Sequence, residues 1–209
     1  MKNLVTEFVG TFIFVFSIAL AIVHAGAMAP LVIGSALMCV VYMGGHISGG
    51  HYNPAVTLAV YLRGKIRGPA ALGYAAAQLA GATFAAMLGE LVTRKALVVA
   101  PPTGYDTLSV LVVETVFTFA LALVVLNVAT DEKVAKNSFY GLAIGFTVVI
   151  AAFAGGSVSG GAFNPAVGLG PALAALGPLS HVWLYLVGPL CGAALASFVY
   201  VLQHPESPA

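Results

Sequence analysis

Charge is what this sequence has least of. Its 209 residues include 8 Lys or Arg and 7 Asp or Glu, 7% in all, where an average soluble domain carries about 25%. So few charges cannot cover a globule of 21.2 kDa. A water-soluble fold is excluded on that ground, and a polytopic membrane protein is the class that remains. A net charge of +1 offers no field for nucleic acid. Cysteine is nearly absent. Cys39 and Cys191 each sit in an apolar run, which leaves neither a disulfide framework nor a thiolate metal site. No zinc-protease histidine pair, nucleophile elbow or phosphate loop is present, so no catalytic, metal or cofactor residue is assigned. The first apolar run, 4–23, is too long for a signal-peptide core and is followed by no small-residue cleavage site, so it reads as a retained span.

Apolar residues make up 60% of the chain. Their runs fall at about 4–24, 30–44, 70–92, 109–129, 138–155 and 180–202. Backbone in lipid must satisfy its own hydrogen bonds, so runs this long without two-residue alternation are helices and not barrel strands. Two further stretches, 53–62 and 164–176, are too short to span, and each opens with Asn-Pro-Ala-Val. Asn is a favoured N-cap and Pro a favoured first helical residue. Each stretch predicts a helix of roughly 15 Å, half of a hydrocarbon core about 30 Å thick. With the N-terminus inside, the inner loops hold Lys2, Arg63, Lys65, Arg67, Lys133 and Lys136, and the outer loops only Arg94 and Lys95. That asymmetry predicts both termini in the cytoplasm. Residues 203–209 form a cytoplasmic tail, which from His204 to Ala209 is polar and broken by proline and is expected to be disordered.

The chain repeats itself. Residues 33–56, IGSALMCVVYMGGHISGGHYNPAV, align with 144–167, IGFTVVIAAFAGGSVSGGAFNPAV, without a gap and with 11 of 24 positions identical. Tyr74 and Gly81 match Tyr185 and Gly192 at the same offset, and Glu7-x-Val-x-Thr-Phe matches Glu114-x-Val-x-Thr-Phe. One channel domain, 1–209, therefore divides into repeats of about 4–92 and 109–202. Each repeat holds three spans, an odd number, so the second is inverted relative to the first. Inverted repeats place their shared site near the midplane, where broken helices meet. Small residues at every fourth position of the third span (Gly73, Ala77, Gly81, Ala85, Gly89) and of the sixth (Gly188, Gly192, Ala196) predict close helix packing.

Two half-helix N-termini facing each other concentrate roughly half a positive charge each at the midplane, which opposes cations. Asn53 and Asn164 can cap these helices through the side-chain oxygen and turn their amide NH2 groups into a lumen. A water bound to both donors cannot accept a proton along the file. Ser48-Gly-Gly-His-Tyr and Ser159-Gly-Gly-Ala-Phe precede the half-helices, and non-helical backbone at this depth is tolerated where it lines a cavity. Gly49, Gly50, His51, Gly160 and Ala162 are the expected lining of that path.

Paired Asn-Pro-Ala segments at equivalent points of an inverted repeat resemble the aquaporin and glycerol-facilitator (major intrinsic protein) family. The likeness covers nearly the whole chain, from Glu7-Phe-Val-Gly-Thr to Val187-Gly-Pro. It implies an all-α membrane fold of six tilted helices plus two half-helices in an inverted 3+3 repeat. It also implies one pore per subunit and a homotetramer in the cell (inner) membrane. The residues that match the family's pore motifs are Asn53, Pro54, Ala55, Asn164, Pro165 and Ala166.

The chain departs from that family at the outer constriction. The family usually follows its second Asn-Pro-Ala with arginine, and this chain has Val167. Motif alignment completes the filter with Ile33, Ala152 and Gly161, where strict water channels typically carry Phe and His at the first two. No Lys or Arg lies within twenty residues of Val167 on either side, so only Arg94 or Lys95, on a folded outer loop, could stand in. The facilitator's Asp and following cation are replaced by Gly168 and Ala172. Gly170-Pro171 follows the facilitator pattern, and Tyr185-Leu186 mixes the two subclasses. Bacterial members with valine at the arginine position resemble the chain best. That likeness implies passage of neutral solutes bulkier than water: glycerol-like polyols, arsenous acid or methylated arsenicals. A channel used mainly for water is the alternative. An ion-coupled secondary transporter would need an intramembrane ion site or proton relay, and the spans hold only Glu7 and Glu114.

Glu7 and Glu114 occupy equivalent places near span starts. A carboxylate in a span is a functional candidate, but the symmetry favours bracing, with each accepting N–H groups from a half-helix loop. His46 and His51 flank the first loop, and either could line a mouth of the pore or brace the loop.

Overall fold

The computed structural model describes residues 1–175 and 179–205. The expected end of the second short segment at residue 176 and most of the tail lie outside them. Eight α-helices are present among the described residues, and no strand. Six are long and apolar enough to cross a membrane: α1 (Lys2–His24), α2 (Ala29–Ser48), α4 (Gly68–Thr93), α5 (Thr107–Val125), α6 (Tyr140–Ser159) and α8 (Val182–Gln203). The short ones are α3 (Pro54–Leu62) and α7 (Pro165–Ala174). A π-helical turn, Leu126–Thr130, extends α5.

Helices α2 and α6 run on through the glycine pairs at 44–45 and 155–156, where their spans were expected to stop. Glycine weakens an exposed helix through chain entropy, yet in an apolar interior an unbroken helix is the only way for the backbone to bond itself. Both helices end instead at the next glycines, Gly49 (φ 95°) and Gly160 (φ 91°), whose N–H groups bond to the carbonyls of Gly45 and Gly156 at 3.0 Å. The interior glycines provide room. Gly10 and Gly44 lie against the Tyr52 ring. In the other half Gly155 lies against Phe117, whose ring meets Phe163 edge-on at 5.5 Å. One large ring per half fills the space beneath each loop, reached from a different position in the chain.

The helices pack as matched pairs: α1 on α4, α5 on α8, and α2 on α6 between the halves. Each half-helix contacts both α4 and α8. The α2–α6 crossing is reciprocal. A Cβ at Gly34 would stand 2.5 Å from the Gly145 carbonyl oxygen, and one at Gly145 would stand 2.5 Å from that of Gly34. Gly81 packs on the Phe8 carbonyl of α1, and its counterpart Gly192 packs on the Thr115 carbonyl of α5. At Gly81 and Gly192 the small-residue ladders thus work through backbone approach, an interaction available to helices that gain nothing from hydrophobic burial in lipid.

At the end that carries both termini, the chain is tied by a polar cluster. The Tyr200 hydroxyl donates to Asp131 Oδ2 at 3.0 Å, and His204 Nε2 lies 3.1 Å from the same oxygen. The Arg63 guanidinium sits over the Tyr200 ring, 4.8 Å from its centroid. The Lys133 N–H donates to Asp131 and holds its carboxyl below the usual carboxylate range. His204, expected within a disordered tail, is thus a bonded residue stacked on Tyr200. The expectation fails because Asp131 and Tyr200 meet only in the fold. Residues 206–209 lie outside the described residues.

Gly81→Ala should lower stability by about 1–3 kcal/mol, because its Cβ would stand 2.5 Å from a backbone oxygen that cannot turn aside. Thermal unfolding in detergent measures this. An unchanged midpoint would mean that α1 and α4 can separate at no cost.

Candidate functional site

The two non-helical loops before α3 and α7 carry backbone N–H groups that no helix or sheet can take. Two fully buried carboxylates take them. Glu7 accepts from the His51 N–H (3.0 Å) through Oε1 and from the Tyr52 N–H (2.8 Å) through Oε2. Glu114 accepts in the same way from Ala162 (3.0 Å) and Phe163 (2.6 Å). Each also accepts a serine hydroxyl, from Ser48 at 2.6 Å and from Ser159 at 2.7 Å. Those serine oxygens in turn accept the N–H groups of Gly50 and Gly161, both at 3.1 Å. Tyr74 and Tyr185 close the ends by donating to the Ser48 and Ser159 carbonyls.

The clamp holds an unfavourable backbone. Tyr52 (φ 49°) and Phe163 (φ 48°) are aromatic residues in the left-handed region, which costs on the order of 1–3 kcal/mol unless the surroundings impose it. Both ends of each residue are fixed. The N–H goes to the carboxylate of its own half. The C=O accepts from the asparagine of the other half: Asn164 Nδ2 to Tyr52 O at 2.9 Å, and Asn53 Nδ2 to Phe163 O at 3.0 Å.

The same asparagines cap the half-helices. Asn53 Oδ1 accepts the Ala55 N–H at 2.8 Å, and Asn164 Oδ1 accepts that of Ala166 at 2.9 Å. With Pro at the first helical position, no donor is wasted there. One N–H of each amide is spent on the opposite loop and not turned into a lumen, which corrects the expectation that both would face it. A second N–H remains on each.

Two cavities meet at this centre. One, of about 160 Å³, occupies the half of the molecule away from the termini. Asn53, Asn164 and the loop residues Gly50, His51, Gly160, Gly161 and Ala162 line it, together with Ile33, Ala152 and Val167. The other, at the termini-bearing end, is lined by Gly49, His51, Val60, Tyr74 and Thr130 among others. His51 and Val125 line both. Among the described residues that line the first cavity there is no Lys, Arg, Asp or Glu. No group of three His, Cys, Asp or Glu placed to hold a metal occurs among the described residues.

The sequence pattern of the family Major intrinsic protein matches residues 1–200. The chain belongs to the major intrinsic protein family. Its members are channels and not enzymes, and the chain is 37% identical over 211 residues to the aquaporin NIP1-4 of Oryza sativa subsp. japonica, covering 97% of this chain and 77% of that one. It is 36% identical over 210 residues to the glycerol uptake facilitator protein-like 6 of Lactiplantibacillus plantarum, covering 95% and 96%. The fold is similar to that of the aquaglyceroporin from Plasmodium falciparum, with a TM-score of 0.83, 22% identity, and 95% and 94% of the two chains covered. Major intrinsic proteins carry water and small solutes across a membrane, and the six apolar helices of this one place it in a bilayer.

Within this major intrinsic protein, Pro54, Ala55, Pro165 and Ala166 do not line either cavity. They pack behind it, with Ala55 and Ala166 fully buried, so that only the asparagines of the two motifs reach the lumen. Glu7 and Glu114 stand behind the loops as well. Arg94 and Lys95 are exposed and line neither cavity, and Cys39 and Cys191 are exposed away from both. His46 is exposed.

Sequence reasoning missed one cluster in the first half. The Thr57 hydroxyl gives its one proton to the Asn53 carbonyl (3.0 Å) and accepts from Gln78 Nε2 (2.9 Å), which also donates to Glu7 (2.8 Å). His51 Nδ1 lies 3.1 Å from the same hydroxyl, so Thr57 joins His51 to Gln78 and Glu7 through one oxygen. The second half has Ala162, Gly168 and Pro189 at the corresponding positions. All three polar partners are absent there together, and the repeat alignment held that signal.

Glu114→Gln would set an NH2 donor against a backbone N–H and leave one of the two buried amides unpaired, at about 1–3 kcal/mol. A lowered thermal midpoint is expected. No change would mean that the Phe163 backbone keeps its conformation without the carboxylate.

Proposed function

We propose that this protein is a passive channel for water and small uncharged solutes, with a wide, apolar selectivity filter formed by Ile33, Ala152, Gly161 and Val167. The observation that carries the reading is the cavity that all four line, without a charged side chain among its described lining residues. Selectivity in such a pore follows from its diameter, its hydrogen-bonding groups and its charge. A largely apolar lining that also holds Asn53, Asn164 and the loops suits solutes with a polar edge: glycerol-like polyols and neutral or methylated arsenicals. The similarity to a glycerol uptake facilitator supports the polyol part of this reading.

Charge is excluded at the centre. The N-termini of α3 and α7 each bring roughly half a positive charge, and an ion that enters the apolar cavity loses its hydration without replacement. Asn53 and Asn164 offer donors only, so a water between them is oriented away from proton transfer. The loop asymmetry in Lys and Arg supports cytoplasmic termini. The functional form is a homotetramer in the cell membrane, each subunit with its own pore.

Val167→Arg should restore a donor and a charge at the filter and fill the lumen that its neighbours leave open. In proteoliposomes, glycerol permeability should fall about tenfold more than water permeability, a difference of about 1.4 kcal/mol in barrier height. Equal loss for both solutes would indicate plugging and defeat the assignment of a filter. No change for either would mean that Val167 does not face the path.

A further inference from the structure

The linker between the two halves, 94–106, belongs to neither repeat and has no internal counterpart. In the structure it folds inward. Leu97 is buried in the core cluster, Val99 is half-buried against that cluster, and Val98 is 71% exposed at the cavity mouth. Val98 and Val99 line the same cavity as Ile33, Ala152, Gly161 and Val167. Arg94 and Lys95, at the start of the linker, are exposed, so the linker's charges face outward while Leu97 and Val99 turn toward the core. It is also fixed in place: a Cβ at Gly160 would stand 2.5 Å from the Ala100 carbonyl oxygen, so this backbone lies directly on the loop before α7.

We infer that Val99, with Val98 at the mouth, is a further specificity-determining wall of the constriction, and that it selects neutral solutes bearing a methyl group opposite their polar edge over polyols of the same size. The inference rests on reading this cavity as the constriction. Asn53, Asn164 and the loop before α7 supply hydrogen-bonding groups to this cavity. Beside that loop, Val99 is an apolar member of the same lining. A hydroxyl turned toward it loses its water partner and gains none, whereas a methyl group loses nothing. Buried Leu97 on one side and the Ala100–Gly160 contact on the other keep the wall from swinging away.

The test uses two solutes of nearly equal size, glycerol and propane-1,2-diol, which carries a methyl group where glycerol has a terminal hydroxymethyl. Fluxes are measured on the full-length protein in proteoliposomes, normalised to protein content. Val99→Thr keeps the side-chain shape and replaces one methyl group with a hydroxyl. It should raise the glycerol-to-propanediol permeability ratio about two- to tenfold, the equivalent of one net hydrogen bond. Val99→Phe should slow both diols severalfold while water is slowed less. In a variant with Cys39 and Cys191 replaced by Ala, Val99→Cys treated with a methanethiosulfonate reagent should lose diol flux, and Arg94→Cys should not. Val167→Arg is run in parallel. If it shifts the solute ratios while the three Val99 variants leave them unchanged, the linker is not a wall and the inference fails alone. If Val167→Arg also changes nothing, the reading of the cavity as the constriction fails with it.

Discussion

Backbone that crosses the middle of a bilayer without forming a helix must find a partner for every N–H, and the fold is arranged around that demand. Glu7 and Glu114 meet it. Each is held inside its own half, and each takes two consecutive amides and a serine hydroxyl. A carboxylate suits the task because it is acceptor-only, with capacity for several donors. Once the amides of Tyr52 and Phe163 are fixed, their strained conformation is fixed as well. Their carbonyls then lie where the asparagine of the opposite half can reach them. The two halves are therefore joined at the centre by an exchange of hydrogen bonds, and the half-helix N-termini are set by that exchange.

The consequences reach the surface of the lumen. Asparagine serves three purposes at one position: its oxygen caps its own helix, one N–H holds the other half, and the second N–H is left over. Pro and Ala beside it pack behind the cavity and set the direction in which the helix leaves. Of the four wall residues, Gly161 is part of the clamp through its N–H to Ser159, whereas Ile33, Ala152 and Val167 line the cavity without joining the clamp.

Much of this was legible in the sequence, and the reasons are physical. Scarcity of charge and the apolar runs gave the six spans, because lipid permits few alternatives. The offset of 111 residues paired Asn53 with Asn164 and Gly34 with Gly145, and the equivalent glutamates suggested bracing by symmetry. Helix ends at Gly49 and Gly160 were misplaced by several residues, since the earlier glycine pairs look like breaks until the rings of Tyr52 and Phe117 are seen to need the space. His204 and the inward fold of Val99 could not be read, because one depends on where Asp131 arrives and the other lies outside the repeat. The polar trio of His51, Thr57 and Gln78 was visible as three coincident differences between the halves, but only contacts show that they share one hydroxyl.

The claim that exclusion of charge resides in the clamped centre, and not in a basic filter, is tested most directly by proton leak. Dissipation of a pH gradient is followed in proteoliposomes beside water flux, for the unaltered protein and for Asn164→Asp. The account predicts that the unaltered protein conducts water and holds the gradient with no Lys or Arg among the described residues that line the first cavity. The aspartate variant, with a carboxylate against the positive end of α7, should conduct water and lose the gradient faster. A variant as proton-tight as the parent, with normal water flux, would contradict the account, as would a parent that leaks protons at the rate of the variant.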